Sequence, residues 1–309
     1  MKKKLTVEIS EGLGNQMFMY AHAYALSKKL NYDLVVDNIS GYSKDKNLLR
    51  KHQNFLLDNF NLLGRLANNN EIYDTSLKRF MKKIFILYDF FNAKKNFLIE
   101  KKIRNKSKKY VNPLIDIDAS SLSNNLYVQG NFENEDYFKD FRSQLLSIFT
   151  IQKEKIHISN TIIEKLNNTN SVSIHIRRNR FSDQSKIIND YNIKRSIQFE
   201  NDSLNYINKS IQLMNSKLDK PEYFIWTNDL DNIDNTLKNI NLKNYILINN
   251  DTINDFYLFS YSKHFIVSPS SFHWWGAWLN QNNDKICLRP SKINPSNNPN
   301  FWPNNWISV

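Results

Sequence analysis

Short apolar runs separated by longer mixed segments set the pattern of this chain. Where the spacers are long enough, they accommodate helices between successive strands. This alternation predicts parallel sheets with crossover helices, and hence an α/β protein. The strand-like runs are residues 5–9, 33–37, 126–129, 171–176, 223–226, 245–248, 264–267 and 285–288.

A glycine turn follows the first of these runs. Gly12 and Gly14 stand before an apolar helical segment that extends from Met17 to Leu30. Glycine lets the backbone turn sharply and approach a ligand closely. Asn15 and Gln16 then lie where the first N–H groups of a helix have no partner. We therefore predict ligand binding by Gly14, Asn15 and Gln16.

The same turn outlines a dinucleotide fingerprint. Gly-x-Gly is followed, after about twenty residues, by Asp37, as in proteins that bind nicotinamide cofactors. The third glycine of that fingerprint is replaced by Met17. An NAD-dependent oxidoreductase is therefore the less favoured alternative.

The run at 171–176 delivers two arginines at its carboxyl end. Its apolar residues alternate with Ser173 and His175, and Arg177 and Arg178 follow directly. In an open α/β sheet, ligands bind at this edge. Adjacent guanidinium groups repel each other and favour a diphosphate that neutralises them. A solvated basic turn is the alternative interpretation.

Other strand-like runs also end in small or polar groups, which a doubly wound sheet would bring to one crevice. Asn228 and Asp229 follow one run, and Asp229 either caps a helix or accepts hydrogen bonds from a purine ring. Ser270 and Ser271 precede an apolar helix that starts at Phe272. Their hydroxyl groups either cap that helix or bind phosphate oxygens.

Length and composition fit a folded protein with two domains. The chain has 309 residues, of which 41% are hydrophobic and 13% aromatic. The amino-terminal sequence has no apolar signal region, and no stretch approaches the ~20 apolar residues of a membrane span, so a cytoplasmic protein is expected. The single cysteine, Cys287, allows neither an intrachain disulfide nor a thiolate metal cluster.

Most of the net charge of +12 lies in one segment. Residues 76–109 contain twelve Lys or Arg against Asp89 and Glu100, an excess of ten. Apolar residues recur there at helical spacing, at positions 80, 84, 87 and 91. A packed helix with a solvated basic face is the favoured interpretation, and peripheral contact with an anionic membrane is the alternative. Nucleic-acid binding ranks lower, because no nucleic-acid module accompanies the charge.

Several of these motifs together resemble glycosyltransferase family eleven, the α-1,2-fucosyltransferases of bacterial type. The resemblance spans residues 5 to about 280 and includes a stretch at 130–138. It is carried by Gly-Leu-Gly-Asn-Gln-Met-Phe at 12–18, His-Ile-Arg-Arg at 175–178, Thr-Asn-Asp at 227–229 and Ser-Pro-Ser-Ser-Phe-His-Trp-Trp-Gly-Ala-Trp-Leu at 268–279.

The resemblance implies a GT-B fold, with two Rossmann-like domains facing a cleft. Residues 1–150 would form the acceptor side, and residues 151–309 the side that binds GDP-fucose, without a metal or other cofactor. Arg177 would contact the donor diphosphate, with Arg178 as its partner. His175 would orient the arginines or the sugar, and the remaining donor contacts would come from Asn228, Asp229, Ser270, Ser271 and Phe272.

Two departures from the family pattern leave the donor sugar open. The family usually has an acid where this chain has Arg180, and a serine is common where it has His273. A different GDP-sugar is therefore the alternative to GDP-fucose. A lone Asp-x-Asp at 116–118, a type of metal motif in other glycosyltransferases, is weak evidence on its own.

The reaction that we expect is inverting transfer of L-fucose from GDP-fucose to a hydroxyl group of a glycan acceptor, which could be lipid-linked. An α-1,2 linkage and a place in surface polysaccharide synthesis, such as that of the O-antigen of lipopolysaccharide, follow from the same resemblance. The general base stays open among Glu11, His22, Asp183 and His273.

Overall fold

The chain forms two compact units, each built on a parallel sheet. The computed structural model describes residues 3–42, 54–89, 91–100, 103–104, 110–111, 117–182, 190–231, 233–296 and 298–309. One unit comprises Met1–Thr150 with Ser296–Phe301, and the other Ile151–Pro295 with Trp302–Val309.

The first unit contains the strands β1 (Lys4–Glu8), β2 (Asp33–Asp37), β3 (Arg65–Leu66), β4 (Lys95–Ile99), β5 (Ile103–Arg104), β6 (Tyr110–Val111) and β7 (Leu122–Gln129). Five of them form a sheet of order β3-β2-β1-β7-β4, with every adjacent pair parallel. The chain moves outward from β1 to β3, crosses to β4 at the opposite edge and then enters β7 between β4 and β1. A small antiparallel pair, β5-β6, is separate from this sheet.

Helix α1 (Leu13–Leu30) is apolar on all sides and is buried along nearly its whole length. It begins at Gly12, which has an extended backbone and no side-chain cap. It ends at Asn31, whose left-handed conformation closes the last turn, as is common at helix carboxyl termini. The other helices of this unit are α2 (Ser76–Tyr88) and α3 (Arg142–Ile148).

Helix α2 contradicts the favoured expectation of a packed apolar stripe. Phe80 and Leu87 are 60% and 62% exposed, whereas Lys82, from the same helix, is buried. The apolar face therefore meets solvent, and a basic residue points inward. Lys82 can be buried because it pairs with Glu8 at 2.6 Å.

The second unit contains α4 (Asn160–Asn168), β8 (Asn170–Ile176), α5 (Asp190–Lys217), β9 (Pro221–Thr227), α6 (Ile233–Leu237), β10 (Ile246–Ile248), α7 (Thr252–Phe259), β11 (His264–Ile266), α8 (Ser271–Leu279), β12 (Cys287–Arg289) and β13 (Ile307–Ser308). Its strands form a six-stranded parallel sheet of order β10-β9-β8-β11-β12-β13. The apolar core includes Ile174, Ile225 and Ile266 from three strands, packed against Ile207 and Ile211 of α5.

This strand order creates a topological switch point between β8 and β11. From β8 the chain winds through β9 to β10 on one side, then crosses to β11 and winds through β12 to β13 on the other. In doubly wound sheets, the crevice outside the carboxyl ends of such a strand pair is the usual ligand site. The α/β prediction is confirmed. The switch point brings residues 175–178, at the end of β8, close to residues 267–271, which follow β11.

Candidate functional site at the switch point of the second sheet

Two buried histidines fix the loop after β11. His273 is fully buried, and its Nδ1 accepts a hydrogen bond from the backbone N–H of Ser268 at 3.2 Å. Its Nε2 therefore carries the proton and donates to Ser173 Oγ at 2.9 Å. His175 Nδ1 lies 3.2 Å from Ser268 Oγ. The loop that precedes α8 is thus bound to β8 through two imidazole rings.

Both rings are neutral at ordinary pH. Burial and, to a smaller extent, the positive charge of Arg177 lower the pKa of His175 to about 3. Burial also holds the pKa of His273 well below its usual value. With both nitrogens of His273 engaged, none remains for an acceptor hydroxyl, so His273 does not suit the role of general base.

The Arg178 side chain is held inside the second unit. Its guanidinium group lies 3.6 Å from Glu200 and 3.6 Å from Asp229. It also donates to the backbone oxygens of Asp229, at 3.2 Å, and of Asp231. Much of its charge is therefore balanced by the protein.

Asn228 and Asp229 build the loop that holds Arg178. The amide of Asn228 accepts from Arg178 N–H at 2.7 Å and donates to Arg178 O at 3.2 Å. The Asp229 carboxylate accepts from the side chain of Asn179 and from the backbone N–H of Asp231. Both residues lie at the strand edge as predicted, and their polar atoms join two adjacent strand ends.

Arg177 occupies the edge of the switch point. Its side chain is partly exposed, and its charge contributes to the lowered pKa of His175. The Arg177 charge is therefore within electrostatic range of His175, whose Nδ1 lies 3.2 Å from Ser268 Oγ. A diphosphate in the crevice would meet this charge in a partly desolvated setting, where it attracts more strongly than in bulk water.

The start of α8 is capped by Ser270 and packs against β8. Ser270 Oγ caps the helix by accepting from the backbone N–H of Phe272 at 3.3 Å. Ser271 and Phe272 are partly exposed. The ring of Phe272 packs against Phe259 and His175, with centroids 5.3 Å and 5.9 Å away.

Arg180, which stands where the family pattern has an acid, braces the same loop. Its guanidinium group donates to Pro269 O at 3.3 Å and to Pro295 O at 2.7 Å. It also lies over the ring of Phe199, at 5.1 Å. At the position of the family's acid, this arginine therefore links the loop before α8 to the loop after β12 by hydrogen bonds.

Asp255 is a buried carboxylate that the sequence analysis did not single out. This carboxylate, in the first turn of α7, is 9% exposed and accepts from Asn250 N–H and from its side-chain amide, at 3.2 Å and 3.0 Å. Burial raises its pKa to about 6. Its position after the polar run at 249–251 was the available signal.

In the first unit, Gln16 supports the glycine turn. Its Nε2 donates to Glu11 O and to Asn54 O, both at 2.8 Å, and its Oε1 accepts from Leu56 N–H at 2.9 Å. The side-chain amide of Gln16 therefore bonds to the backbone through both its nitrogen and its oxygen. Asn15 bonds to the Glu11 carboxylate through its Nδ2, so Gln16 and Asn15 both hold the turn in shape.

Gly12 and Gly14 differ in their surroundings. Gly12 is exposed and Gly14 is buried in the first turn of α1. A β-carbon at Gly12 would stand in open space, and its backbone angles suit any residue. Neither packing nor backbone geometry requires glycine at position 12. Close approach of a ligand to the backbone is a physical reason for a glycine there.

A polar network that no local sequence pattern indicates lies at the carboxyl edge of the first sheet. The Tyr127 hydroxyl lies 2.9 Å from Glu8 Oε2 and 2.7 Å from Asp37 Oδ2. Gln129 donates to the other oxygen of Glu8 at 3.0 Å. Lys82 supplies one positive charge for the two carboxylates. A cavity of about 470 Å³ adjoins the network and is lined in part by Glu8, Lys82 and Gln129.

This network excludes the nicotinamide interpretation of Asp37. The Asp37 carboxylate is fully buried. It accepts from the N–H groups of Ile39 and Ser40, from Ser40 Oγ and from the Tyr127 hydroxyl. No oxygen is left for a ribose hydroxyl, so the dinucleotide alternative is wrong.

The sequence profile of glycosyl transferase family 11 matches residues 4–307. The chain belongs to glycosyltransferase family 11. The match covers nearly all of the chain, so the predicted family is confirmed, and the protein is a glycosyltransferase.

Two relatives of this family 11 enzyme come from Escherichia coli. The chain is 27% identical to the O-antigen biosynthesis glycosyltransferase WbnK, over 97% of this chain and 99% of that protein. It is 26% identical to an alpha-1,2-colitosyltransferase, over 93% of this chain and 91% of that protein. The similarity therefore extends over both units.

The fold is similar to that of a solved fucosyltransferase. The structure of the fucosyltransferase NodZ from Bradyrhizobium aligns with a TM-score of 0.50 and 11% identity, over 91% of this chain and 94% of that chain. At this identity the likeness concerns the fold alone. It supports the GT-B architecture for the family 11 enzyme.

The predicted general bases fare differently. His22 is buried, its ring stacks 3.9 Å from that of Phe132, and burial lowers its pKa to about 3. It is therefore a poor partner for an acceptor. Glu11 is partly exposed in a left-handed conformation beside Asn15. Asp183 lies outside the described residues.

Among the described residues, no group of three or more His, Cys, Asp or Glu is placed to hold a metal ion. Asp116 of the Asp-x-Asp motif lies outside the described residues, and Asp118 caps a short helical turn by accepting from Ser120. Metal independence stays a prediction. Within the described part of the chain, no helix is both long and apolar enough to cross a membrane.

Proposed function

We propose that this enzyme transfers L-fucose from GDP-fucose to a hydroxyl group of a glycan, forms an α-1,2 linkage with inversion, and acts in the synthesis of a bacterial surface polysaccharide. Family membership supports the reaction class. The name of the relative WbnK supports O-antigen as the product, and the name of the colitosyltransferase supports the 1,2 linkage.

One observation carries the proposal, namely the positive edge at the switch point of the second sheet. Arg178 is already paired with Glu200 and Asp229, so these two carboxylates largely neutralise its charge. Arg177 sits beside it, close to His175 and the start of α8. An anion there would be attracted by the positive charge of Arg177.

In the proposed reaction, the acceptor oxygen bonds to the anomeric carbon from the face opposite the diphosphate, and the bond from that carbon to the phosphate oxygen breaks. GDP leaves with the electron pair of that bond, and the acceptor proton goes to a base. Negative charge therefore grows on the leaving phosphate, where Arg177 would stabilise it. His175 would orient Arg177, while Ser270, Ser271 and Phe272 shape the donor site.

The first unit would hold the acceptor glycan. Its cavity beside Glu8, Lys82 and Gln129 offers both donors and acceptors for sugar hydroxyl groups. Gly14, Asn15 and Gln16 of the glycine turn would contribute donor contacts. A lipid-linked acceptor at the inner face of the cell membrane, met by an enzyme in the cytoplasm, completes the proposal, and no nucleic acid takes part.

A second candidate donor is a GDP-linked colitose. Colitose is fucose without its 3-hydroxyl group, and a relative with similarity over 93% of this chain is named for its transfer. Arg180 also replaces the acid of the family pattern, so contacts to the sugar ring need not follow the fucose-specific form. Both donors share the guanine nucleotide and the anomeric chemistry.

A competition assay separates the two donors. The enzyme receives GDP-fucose and GDP-colitose in equal amounts with a fucose-free glycan acceptor, and the product is analysed by mass spectrometry and proton NMR. We expect α-linked fucose on a 2-hydroxyl group as the main product. Colitose in the main product would replace the first candidate with the second. Transfer of neither sugar, or a β-linkage, would refute the proposal.

A further inference from the structure

Helix α2 is oriented against the usual rule of burial. On its outer side, Leu77, Phe80 and Leu87 are all more exposed than buried, and Phe91, in the turn just after the helix, is 88% exposed. Large apolar side chains gain free energy when they leave water, by about 1.5–3 kcal/mol each for full burial. A cluster of them on one surface element marks an interaction site.

Ionic contacts on the inner side fix this orientation. Lys82 pairs with Glu8 at 2.6 Å and lies over the ring of Tyr127, 4.2 Å from its centroid. Arg79 donates to the backbone oxygen of Asp74 at 2.7 Å. Rolling the helix to bury its apolar side would expose Lys82 and strip Glu8 of its counter-ion. The outward apolar face is therefore built into the unit.

Charge indicates what covers this face. Lys83 and Lys94 are exposed on the same segment, and residues 76–109 carry an excess of ten positive charges in the sequence. A second copy of the chain would bring two such segments together, and they would repel. A nucleic acid would meet the cations but leave the apolar side chains in water. An anionic bilayer satisfies both features.

We propose that α2 and the turn after it dock on an anionic lipid membrane. Leu77, Phe80, Leu87 and Phe91 enter the boundary between headgroups and acyl chains, and Lys83 and Lys94 meet the anionic headgroups. The helix lies in the plane of the interface, as amphipathic helices of this kind do. This docking does not depend on the identity of the donor sugar. If the proposed function holds, it also brings the enzyme to a lipid-linked acceptor.

Vesicle sedimentation tests the proposal with a matched pair of variants. The first carries Leu77→Ser, Leu87→Ser and Phe91→Ser. The control carries Leu63→Ser, Leu66→Ser and Ile197→Ser, which are also exposed apolar residues of this chain. Both keep the charge of the protein and remove three exposed side chains. Vesicles of phosphatidylcholine, with and without phosphatidylglycerol, serve as the probe at low salt.

We expect the wild type and the control to sediment with the anionic vesicles, and the α2 variant to partition at least about tenfold more weakly. Added salt or omission of phosphatidylglycerol should weaken all three. Equal binding by the α2 variant and the control would overturn the proposal, as would failure of the wild type to bind.

Light scattering and enzyme assay complete the test. A wild-type dimer that the α2 variant converts to a monomer, without vesicle binding, would assign the face to a second copy and overturn membrane docking. Turnover on a soluble glycan acceptor should be the same in the α2 variant and the wild type. Because that readout does not involve the membrane, a failure of the proposed transferase activity is distinguishable from a failure of docking.

Discussion

Two adjacent arginines have different surroundings at the site. Arg178 is tied to Glu200, Asp229 and two backbone oxygens, which is the environment of a structural cation. Arg177 lies at the crevice edge near His175. The sequence motif presents the two residues as a pair, and the contacts of Arg178 show that its side chain holds the loop after β9.

Arg177→Lys tests the proposed transition-state role. Lysine keeps the charge but loses the planar fork that matches phosphate oxygens. We expect kcat to fall by about two to three orders of magnitude, in line with the loss of a preorganised donor, while the melting temperature stays close to that of the wild type. Steady-state kinetics and circular dichroism measure both quantities.

Arg178→Lys serves as the control for Arg177→Lys, because it should act mainly on folding. Its bonds to Asp229 and Asp231 cannot all be rebuilt by one ammonium group, so the melting temperature should drop. Turnover near the wild-type rate in Arg177→Lys would rule out the bidentate contact to the diphosphate.

His22 makes the pH dependence of stability testable. Its pKa is about 3 in the folded protein and 6.5 when it is unperturbed. Since only the unfolded chain takes up this proton as the pH falls below 6.5, stability present at neutral pH is lost toward pH 3. A variant without this histidine should lose less stability than the wild type as the pH falls.

We expect His22→Leu to gain about 2 kcal/mol relative to the wild type when the free energy of unfolding is compared between about pH 7.5 and about pH 5. Packing changes are common to both conditions and cancel. Urea titrations at the two pH values measure the difference. A pH-independent difference between the two proteins would show that His22 titrates alike in the folded and unfolded states.

At the scale of elements, the sequence pattern predicted the positions of most strands in the second unit better than the environment of helix α2. The glycine turn, α1 and the strands of the second unit follow from local apolar runs. Helix α2 does not, because its orientation is decided by a distant carboxylate, Glu8, which pairs with Lys82. Periodicity shows that a helix has an apolar side but not which side faces the protein.

Polar networks show what motifs do not. Gln16 stays a predicted donor contact, and its amide bonds to the backbone at Glu11, Asn54 and Leu56. Glu8 and Tyr127 gave no signal, because their partnership joins residues more than a hundred positions apart. Motif matching found the edge of the second sheet, where the functional groups are close in sequence to strand ends.

At the scale of the whole molecule, the strand order of the second unit is the strongest support for the account. A switch point between β8 and β11 brings together two motifs that are about ninety residues apart in sequence, as the His175–Ser268 contact shows. The α/β class and the family were predictable from ordered motifs. The donor sugar was not, because Arg180 changes the loop that precedes α8.

The central claim is that the arginine edge of the second sheet binds the diphosphate of a guanine nucleotide. Differential scanning fluorimetry with GDP, UDP, CDP and NAD, each with and without EDTA, tests it directly on the wild type and on Arg177→Lys. We predict that GDP alone raises the melting temperature, that EDTA changes nothing, and that Arg177→Lys reduces the GDP response. Equal stabilisation by UDP or NAD, or an undiminished GDP response in Arg177→Lys, would contradict the account.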